Sequence, residues 1–328
     1  MRVLLTHNPE DLEAYYQPSL AELETLVDVI RNPRNRDLAT DELIDAAREC
    51  DIIVAHRSTP GEHILFERCP KLLAMLRTAI DVSTIDVDAA SDNGVLVANA
   101  EKSFIASTAE LALGLLLDAA RHISASTVDY RSGRAPQQRL GWQLRGRTAG
   151  IIGYGSIGSY LAELLAAIGM LVVVHDPLVG VPPPSEQVDM TELLRRSDAV
   201  FPLTPGGDEY RHLIGELELS VMRDGAILVN VSRGEVLDEA AIASALESGR
   251  LGALAMDVGQ APDQRPSPRL ASHERVVATP HLGGLTPANA YAQSASSVEQ
   301  VRAILNGVMP PRSLNPESAS RLRAYWQA

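Results

Sequence analysis

The chain has 328 residues, 45% of them apolar and 22% charged, the usage of an ordinary globular protein with room for two domains. Its 29 basic and 42 acidic side chains leave a formal charge of −13, which repels a phosphate backbone or an anionic membrane and sets aside nucleic acid as a partner. No run approaches the ~18 apolar residues of a membrane span, because the longest candidate, residues 111–120, is broken by Gly114 and Asp118.

The chain opens on a short strand signal, residues 3–6, with none of the charged end, long apolar run and small-residue cleavage site of a signal peptide. Further short apolar runs at residues 51–55, 72–77 and 95–99 are spaced so that helices fit between them, for example at residues 40–49 and 84–93. That alternation predicts a first parallel sheet. Cys50 and Cys69 form no metal or redox spacing; they read as small buried hydrophobes in a reducing, cytoplasmic setting. A long helix is expected over residues 103–126, followed by a polar stretch over residues 129–141 that leads through Trp142 to a second sheet. Six strands are predicted there, at residues 148–152, 171–174, 199–201, 226–231, 252–256 and 276–278.

The turn after the first of these reads Gly153-Tyr154-Gly155-Ser156-Ile157-Gly158, a GxGxxG in full strand–turn–helix context. Gly153 permits the tight turn, Gly155 lets a pyrophosphate approach the backbone, and Gly158 lets the helix pack on the strand. The pyrophosphate then meets the positive end of the helix. Asp176, 18 residues beyond Gly158 at the end of the next strand, suits both hydroxyls of an adenosine ribose and repels the extra phosphate of NADP. The reading is a Rossmann domain that binds NAD. Downstream, Val231-Ser232-Arg233-Gly234 follows one apolar strand, Asp257 the next, and Thr279-Pro280-His281-Leu282-Gly283-Gly284 the last. One arginine and one histidine at strand ends, below a dinucleotide loop, are what hydride transfer to a hydroxy or keto acid requires. The helix over residues 287–305 is expected to return to the first domain. The boundaries are then residues 1–99 with 286–328 for a substrate domain and 100–285 for the NAD domain, with the ligand in a cleft between them.

These motifs resemble the D-isomer-specific 2-hydroxyacid dehydrogenase family over nearly the whole chain, with Ile85-Asp86, Ala89-Ala90 and Ala109-Glu110 matching as well. The resemblance implies an α/β protein of two doubly wound parallel-sheet domains, a Rossmann NAD-binding domain inserted in a flavodoxin-like substrate domain. It implies that Arg233 binds the substrate carboxylate and keto oxygen and that His281 is the acid/base. Thr204, Pro205, Val231, Ser232, Asp257, Gly283 and Gly284 fall at cofactor positions, and Arg57, Ser58, Arg77, Ala79 and Ile80 at substrate positions. A homodimer joined through residues 104–142 is also implied. Formate- and phosphite-type dehydrogenases and NAD-sensing interaction proteins are relatives, so the alternatives are a small-acid dehydrogenase of that kind or a sensor.

Two departures stand out. The family's Gly-x-Gly turn after the third strand is replaced by Ala79-Ile80-Asp81, and Pro262 stands where the family glutamate partners the histidine. Asp263 is the candidate substitute acid and Gln260 the second candidate, an amide partner like that of the formate-oxidising relatives; a plain surface role for Asp263 stays open. Of the other histidines, His175 reads as a packing residue and His56 as a residue that could contact substrate. His7, His63, His122, His212 and His273 read as surface positions. No metal site is expected.

Overall fold

The computed structural model describes residues 1–261 and 263–328. They form two compact units, Met1–Ser103 with Pro287–Ala328, and Phe104–Thr286.

The first unit is a parallel sheet of β1 (Arg2–Leu5), β2 (Asp28–Arg31), β3 (Ile52–Ala55), β4 (Ala74–Arg77) and β5 (Leu96–Ala98) in the order β2-β1-β3-β4-β5. This is the flavodoxin-type doubly wound order. β3, β4 and β5 are buried along their whole length, as strands covered by helices on both faces must be. β2 is absent from the sequence reading: it lies at the sheet edge with no fully buried residue, so it carries neither an apolar run nor alternation. The helix Pro287–Leu305 packs on Gln17–Leu26 within this unit. Val298, Val301 and Ile304 enter its core beside Leu20 and Leu23, each contributing ~1.5–3 kcal/mol. Buried hydroxyl pairs, Tyr16 with Ser297 and Ser19 with Ser294, both at 2.7 Å, fix the rotation of that helix.

The second unit holds β6 (Thr148–Ile152), β7 (Leu171–His175), β8 (Glu186–Gln187), β9 (Ala199–Pro202), β10 (Ala226–Asn230), β11 (Leu251–Met256) and β12 (Val276–Ala278). All pairs are parallel, in the order β12-β11-β10-β9-β6-β7-β8. The order reverses between β6 and β9, the switch point at which doubly wound sheets bind dinucleotides. Seven strands are present rather than the six expected, because β8 is a two-residue exposed edge that no sequence pattern marks. The long helix also differs from expectation. It runs over Ile105–Arg121, breaks at His122, which is left-handed with φ 55°, and resumes as Ile123–Arg131. No helix among the described residues is long and apolar enough to cross a membrane.

Candidate active site

β6 delivers the chain into Gly153, whose φ of +99° only glycine adopts freely. A Cβ there would come within 2.8 Å of the Leu203 carbonyl oxygen, and one on Gly158 within 2.2 Å of the Gly153 oxygen. Both glycines are demanded by close backbone approach. Gly155 differs: its Cβ would meet nothing within 4 Å. That open space lies at the start of the helix Ser156–Ala167, which Gly155 caps without a side-chain hydrogen bond, so its first N–H groups and dipole face an anion site. Thr204 adds an orphaned hydroxyl, its Oγ1 buried and without a partner. A cradle with no Cβ and an unpaired buried hydroxyl fit a phosphorylated dinucleotide; Pro205, next to it, is exposed.

Asp176, at the end of β7, has its carboxylate oriented by backbone. Oδ2 accepts the Tyr154 N–H at 2.7 Å, and Oδ1 accepts those of Leu178 and Val179 at 2.8 and 3.1 Å. Burial opposes ionisation, but the three N–H donors outweigh it and hold the carboxyl below its usual range. It stands charged beside the glycine turn.

The turn after β10 is closed by Asn230, which is 0% exposed. Its Oδ1 accepts from Ser232 N and Oγ, both at 3.0 Å, and its Nδ2 donates to the Arg233 carbonyl at 2.8 Å. Val231 is buried beneath it. Gly234 lies so near the turn after β11 that a Cβ would sit 2.1 Å from the Gly259 carbonyl carbon. On this locked turn the Arg233 side chain is exposed, with Nη1 donating to the Ser232 carbonyl at 2.8 Å. After β11, Asp257 is 1% exposed. Its Oδ1 accepts Thr279 Oγ1 at 2.6 Å and Leu282 N at 2.7 Å, and its Oδ2 accepts Gly283 N at 2.8 Å. The Gly283 carbonyl in turn accepts Thr108 Oγ1 at 3.2 Å, and Gly284 follows. His281 sits inside this bracket in the left-handed region, φ 63°, with its N–H donating to the Asp257 carbonyl at 2.9 Å. Such a conformation costs a non-glycine residue about 1–2 kcal/mol, which the Asp257 bonds offset. Because β10, β11 and β12 are successive neighbours, Arg233 and His281 rise from carboxyl ends about 10 Å apart, two strand spacings.

Several expectations need correction. Arg77, expected at a substrate position, is fully buried: its Nη1 and Nη2 groups donate to the His56 and Thr59 carbonyls and to Thr84 Oγ1, while its Nε is buried without a partner. His7 is not a surface residue but 2% exposed, with Nε2 3.2 Å from Thr78 Oγ1 and its ring packed on those of Tyr16 and His56. Asp263 is paired with Arg265: Oδ1 accepts its N–H at 3.1 Å, Oδ2 lies 3.5 Å from its Nε, and the side chain is 58% exposed. Gln260 donates from Nε2 to the Leu237 carbonyl at 3.0 Å. Pro262 lies outside the described residues.

The turn of Ala79, Ile80 and Asp81 has no positive φ, so the missing glycines impose no strain. The Ala79 and Ile80 carbonyls accept from Ala100 N and Asn99 Nδ2, both at 3.0 Å. Asp81 supplies part of the counter-charge that buried Arg77 needs. Arg57 and Ser58 are exposed, and Ser58 Oγ lies 2.8 Å from His56 Nδ1. His175 is a packing residue, its Nδ1 bonded to the Val188 carbonyl at 3.1 Å. Asp11, Asp37 and His56 have ligand atoms within 4.8 Å of one another, the metal-like spacing found among the described residues, with His56 Nδ1 already on Ser58. Asn230 and Thr108 escape sequence reasoning, as does the hydrogen bond of Thr279 to Asp257; the one available signal is an asparagine ending the apolar run of β10.

Residues 113–283 match the model of the D-isomer specific 2-hydroxyacid dehydrogenase, NAD binding domain. The hydroxypyruvate reductase of Thermotoga maritima is 35% identical over 271 residues, covering 81% of this chain and 88% of its own. The D-3-phosphoglycerate dehydrogenase of Methanocaldococcus jannaschii is 32% identical over 306 residues, covering 88% of this chain, which spans only 57% of that longer relative. A solved structure from Thermus thermophilus superposes with a TM-score of 0.85 at 28% identity, over 96% of this chain and 100% of that one. The unit Phe104–Thr286 is an NAD-binding domain of the Rossmann type. The chain belongs to the D-isomer specific 2-hydroxyacid dehydrogenase family.

Proposed function

We propose that the protein is an NAD-dependent oxidoreductase that interconverts a small D-2-hydroxy acid and its 2-keto acid, with the unit Met1–Ser103 and Pro287–Ala328 as its substrate domain. The observation that carries this reading is the fixing of Arg233 and His281 at the ends of β10 and β12, with β11 between them, in the sheet whose β6 turn accepts the dinucleotide. Bound NAD supplies the hydride acceptor or donor. The remaining work falls to side chains. Arg233, a planar fork that stays charged, holds the carboxylate and polarises the keto oxygen. His281 gives that oxygen its proton in reduction and takes it from the hydroxyl in oxidation. Hydride plus proton balance the keto acid to the hydroxy acid. The names of the relatives direct the first trial to hydroxypyruvate, glyoxylate and phosphohydroxypyruvate with NADH, followed by absorbance at the reduced nicotinamide band; turnover of none of a panel of 2-keto acids overturns the reading.

The partner in this reading is a second copy, joined through residues 104–142. Ile123 (53%), Val128 (55%), Tyr130 (73%) and Leu140 (101%) are exposed there. An open concavity of about 590 Å³, lined by Leu117, Arg121, Trp142 and Ile168 among others, adjoins them. Light scattering that gives a monomer removes the dimer. Cys50 and Cys69 are free and buried, which fits the cytoplasmic location read from the sequence, and cell fractionation tests it.

A further inference from the structure

The strands β2, β1 and β3 lie side by side and parallel in the first unit, so the segments leaving their carboxyl ends meet at one edge of the sheet. Each brings a side chain able to ligate a metal. Asp11 follows β1, Asp37 follows β2 and His56 comes directly after β3, and one ligand atom of each lies within 4.8 Å of the other two. The Asp11 carboxylate is oriented by Asn8, whose Nδ2 donates to its Oδ2 at 2.7 Å. Asp37 has no such support. Its neighbours Arg36 and Arg34 sit on the Glu42 carboxylate at 2.8 and 3.4 Å, and no cation among the described residues pairs with Asp37. The His56 ring is held through Nδ1 by Ser58 Oγ at 2.8 Å, while its Nε2 has no hydrogen-bond partner among the described residues. With the His56 and Asp11 side chains 12% and 22% exposed, water reaches this cluster only in part, and two negative charges so close together favour a cation between them.

His7, two residues beyond β1, points to the same place independently. It is 2% exposed, and its ring stands edge-on to that of His56 with 5.0 Å between centroids. Thr78 Oγ1 has one proton to give, and the Ala55 carbonyl takes it at 3.1 Å; in the 3.2 Å contact with His7 Nε2 the imidazole is therefore the donor. Burial keeps the ring uncharged, so Nδ1 carries a lone pair. That atom is buried and has no partner. An interior acceptor left unmet is costly, and a water held on a cation beside His56 supplies the donor it lacks.

We propose that Asp11, Asp37 and His56 bind one first-row divalent cation, with water completing its coordination and His7 Nδ1 accepting a hydrogen bond from that water. The two carboxylates cancel the charge of the ion, and the imidazole selects zinc or manganese over magnesium. Drawing the ligands in to the ~3.4 Å that separates them around a tetrahedral ion with ~2.1 Å bonds takes side-chain rotation, which exposed Asp37 is free to make. The ion ties together the carboxyl ends of three neighbouring strands. The site lies wholly within the first unit and does not depend on the oxidoreductase reading.

The test titrates the full chain, stripped with EDTA and desalted, with Zn²⁺, Mn²⁺ and Mg²⁺ in a calorimeter. One Zn²⁺ per chain is expected, with a Kd on the order of micromolar and Mg²⁺ at least tenfold weaker. Asp37→Asn, at an exposed position that leaves the fold intact, should weaken Zn²⁺ at least tenfold, and His56→Gln likewise. His7→Gln, which touches only the water, should weaken it by about tenfold. The exposed pair of His63 Nε2 and Glu67 Oε1, 3.0 Å apart on one helix, is the competing place for a surface-bound ion, so His63→Gln is the control and should change nothing. Absence of saturable Zn²⁺ and Mn²⁺ binding overturns the proposal, as does an affinity that survives Asp37→Asn or is lost in His63→Gln. Parental affinity in His7→Gln removes His7 from the site.

Discussion

The main-chain carbonyl of Asp257 accepts the His281 N–H at 2.9 Å, while the Asp257 carboxylate accepts the N–H groups of the two residues that follow, Leu282 and Gly283. One buried side chain thus dictates the backbone of the candidate acid/base, which stands in a left-handed conformation that histidine would not adopt unaided. Asp257→Ala should leave three donors, counting Thr279 Oγ1, without their charged acceptor. The expected loss is about 3 kcal/mol or more, or roughly 6–12 °C in the melting of the NAD-binding unit. Turnover should fall at least tenfold while the NADH KM changes less, measured on protein shown by circular dichroism to be folded. An Asp257→Ala protein with parental melting and turnover would show that His281 needs no such support.

In the proposed reaction Arg233 and His281 have different tasks, and their variants should separate kinetically. Arg233→Ala is expected to raise KM and lower kcat together, because the carboxylate is held in both ground and transition states. His281→Ala should chiefly lower kcat, by about 10²–10⁴. Quenching of intrinsic fluorescence by NADH should survive both changes. Unaltered turnover in His281→Ala would remove the proton-transfer assignment.

NAD is expected over NADP. Asp176 stands ionised beside the glycine turn, its two oxygens aimed by three backbone donors, and a 2′-phosphate would meet a like charge there. The preference should be on the order of 2–4 kcal/mol, roughly 30- to 1000-fold in kcat/KM. Asp176→Ser should relax it, although the same change also releases the Tyr154 N–H and is expected to weaken NAD itself. Equal efficiency with both cofactors in the parent would sink the assignment.

The elements legible in the sequence were those with strong local signals. β3, β6, β10 and β11 are apolar runs, and the glycine turn has a backbone reason for each of its three glycines: a positive φ at 153, an open face at 155, a carbonyl in the way of any Cβ at 158. β2 and β8 escaped because edge strands are partly wet and owe their existence to the neighbour that pairs with them. The break at His122 escaped because histidine gives no hint of a left-handed cap, where glycine would have. Arg77 and His7 were misplaced for one reason. A polar residue at the end of a buried strand reads as exposed, and only the fold reveals that the neighbouring turns fold over it and supply its partners.

His7 makes the second of these misreadings measurable. Burial first, then His56 and Arg77, push its imidazole well below the ordinary value, and burial also lowers His56 despite Asp11. In the unfolded chain His7 titrates near ~6.5, so below that pH the unfolded state binds a proton the native state refuses. Its contribution to stability is complete above about pH 6.5 and is lost as pH falls from there toward the native pKa. His7→Gln keeps a hydrogen-bonding partner for Thr78 and removes this titration. The parent should therefore lose more stability between pH 8 and 5.5 than His7→Gln, read as the change in urea midpoint across that interval, with His56 supplying the residual slope common to both. Equal losses in the two proteins would mean that His7 does not titrate in this range.

Whether Asp263 serves His281 in the proposed reaction is decided by a pH profile. A carboxylate against the imidazole raises its pKa and extends keto-acid reduction to higher pH. Asp263, the residue nearest in sequence to the family's glutamate position, instead holds the Arg265 N–H and guanidinium at the surface. An exposed ion pair of this kind is worth about 0–1 kcal/mol, so removing it disturbs little around it, and Asp263→Asn is a clean probe. The expected result is a pH profile of kcat/KM for reduction that superimposes on the parent's, with melting unchanged. The same change should shift the alkaline limb to lower pH if Asp263 leaves Arg265 and joins His281 once substrate and NADH are bound. Such a shift, absent from the Arg265→Gln control, would reinstate Asp263 as the substitute acid.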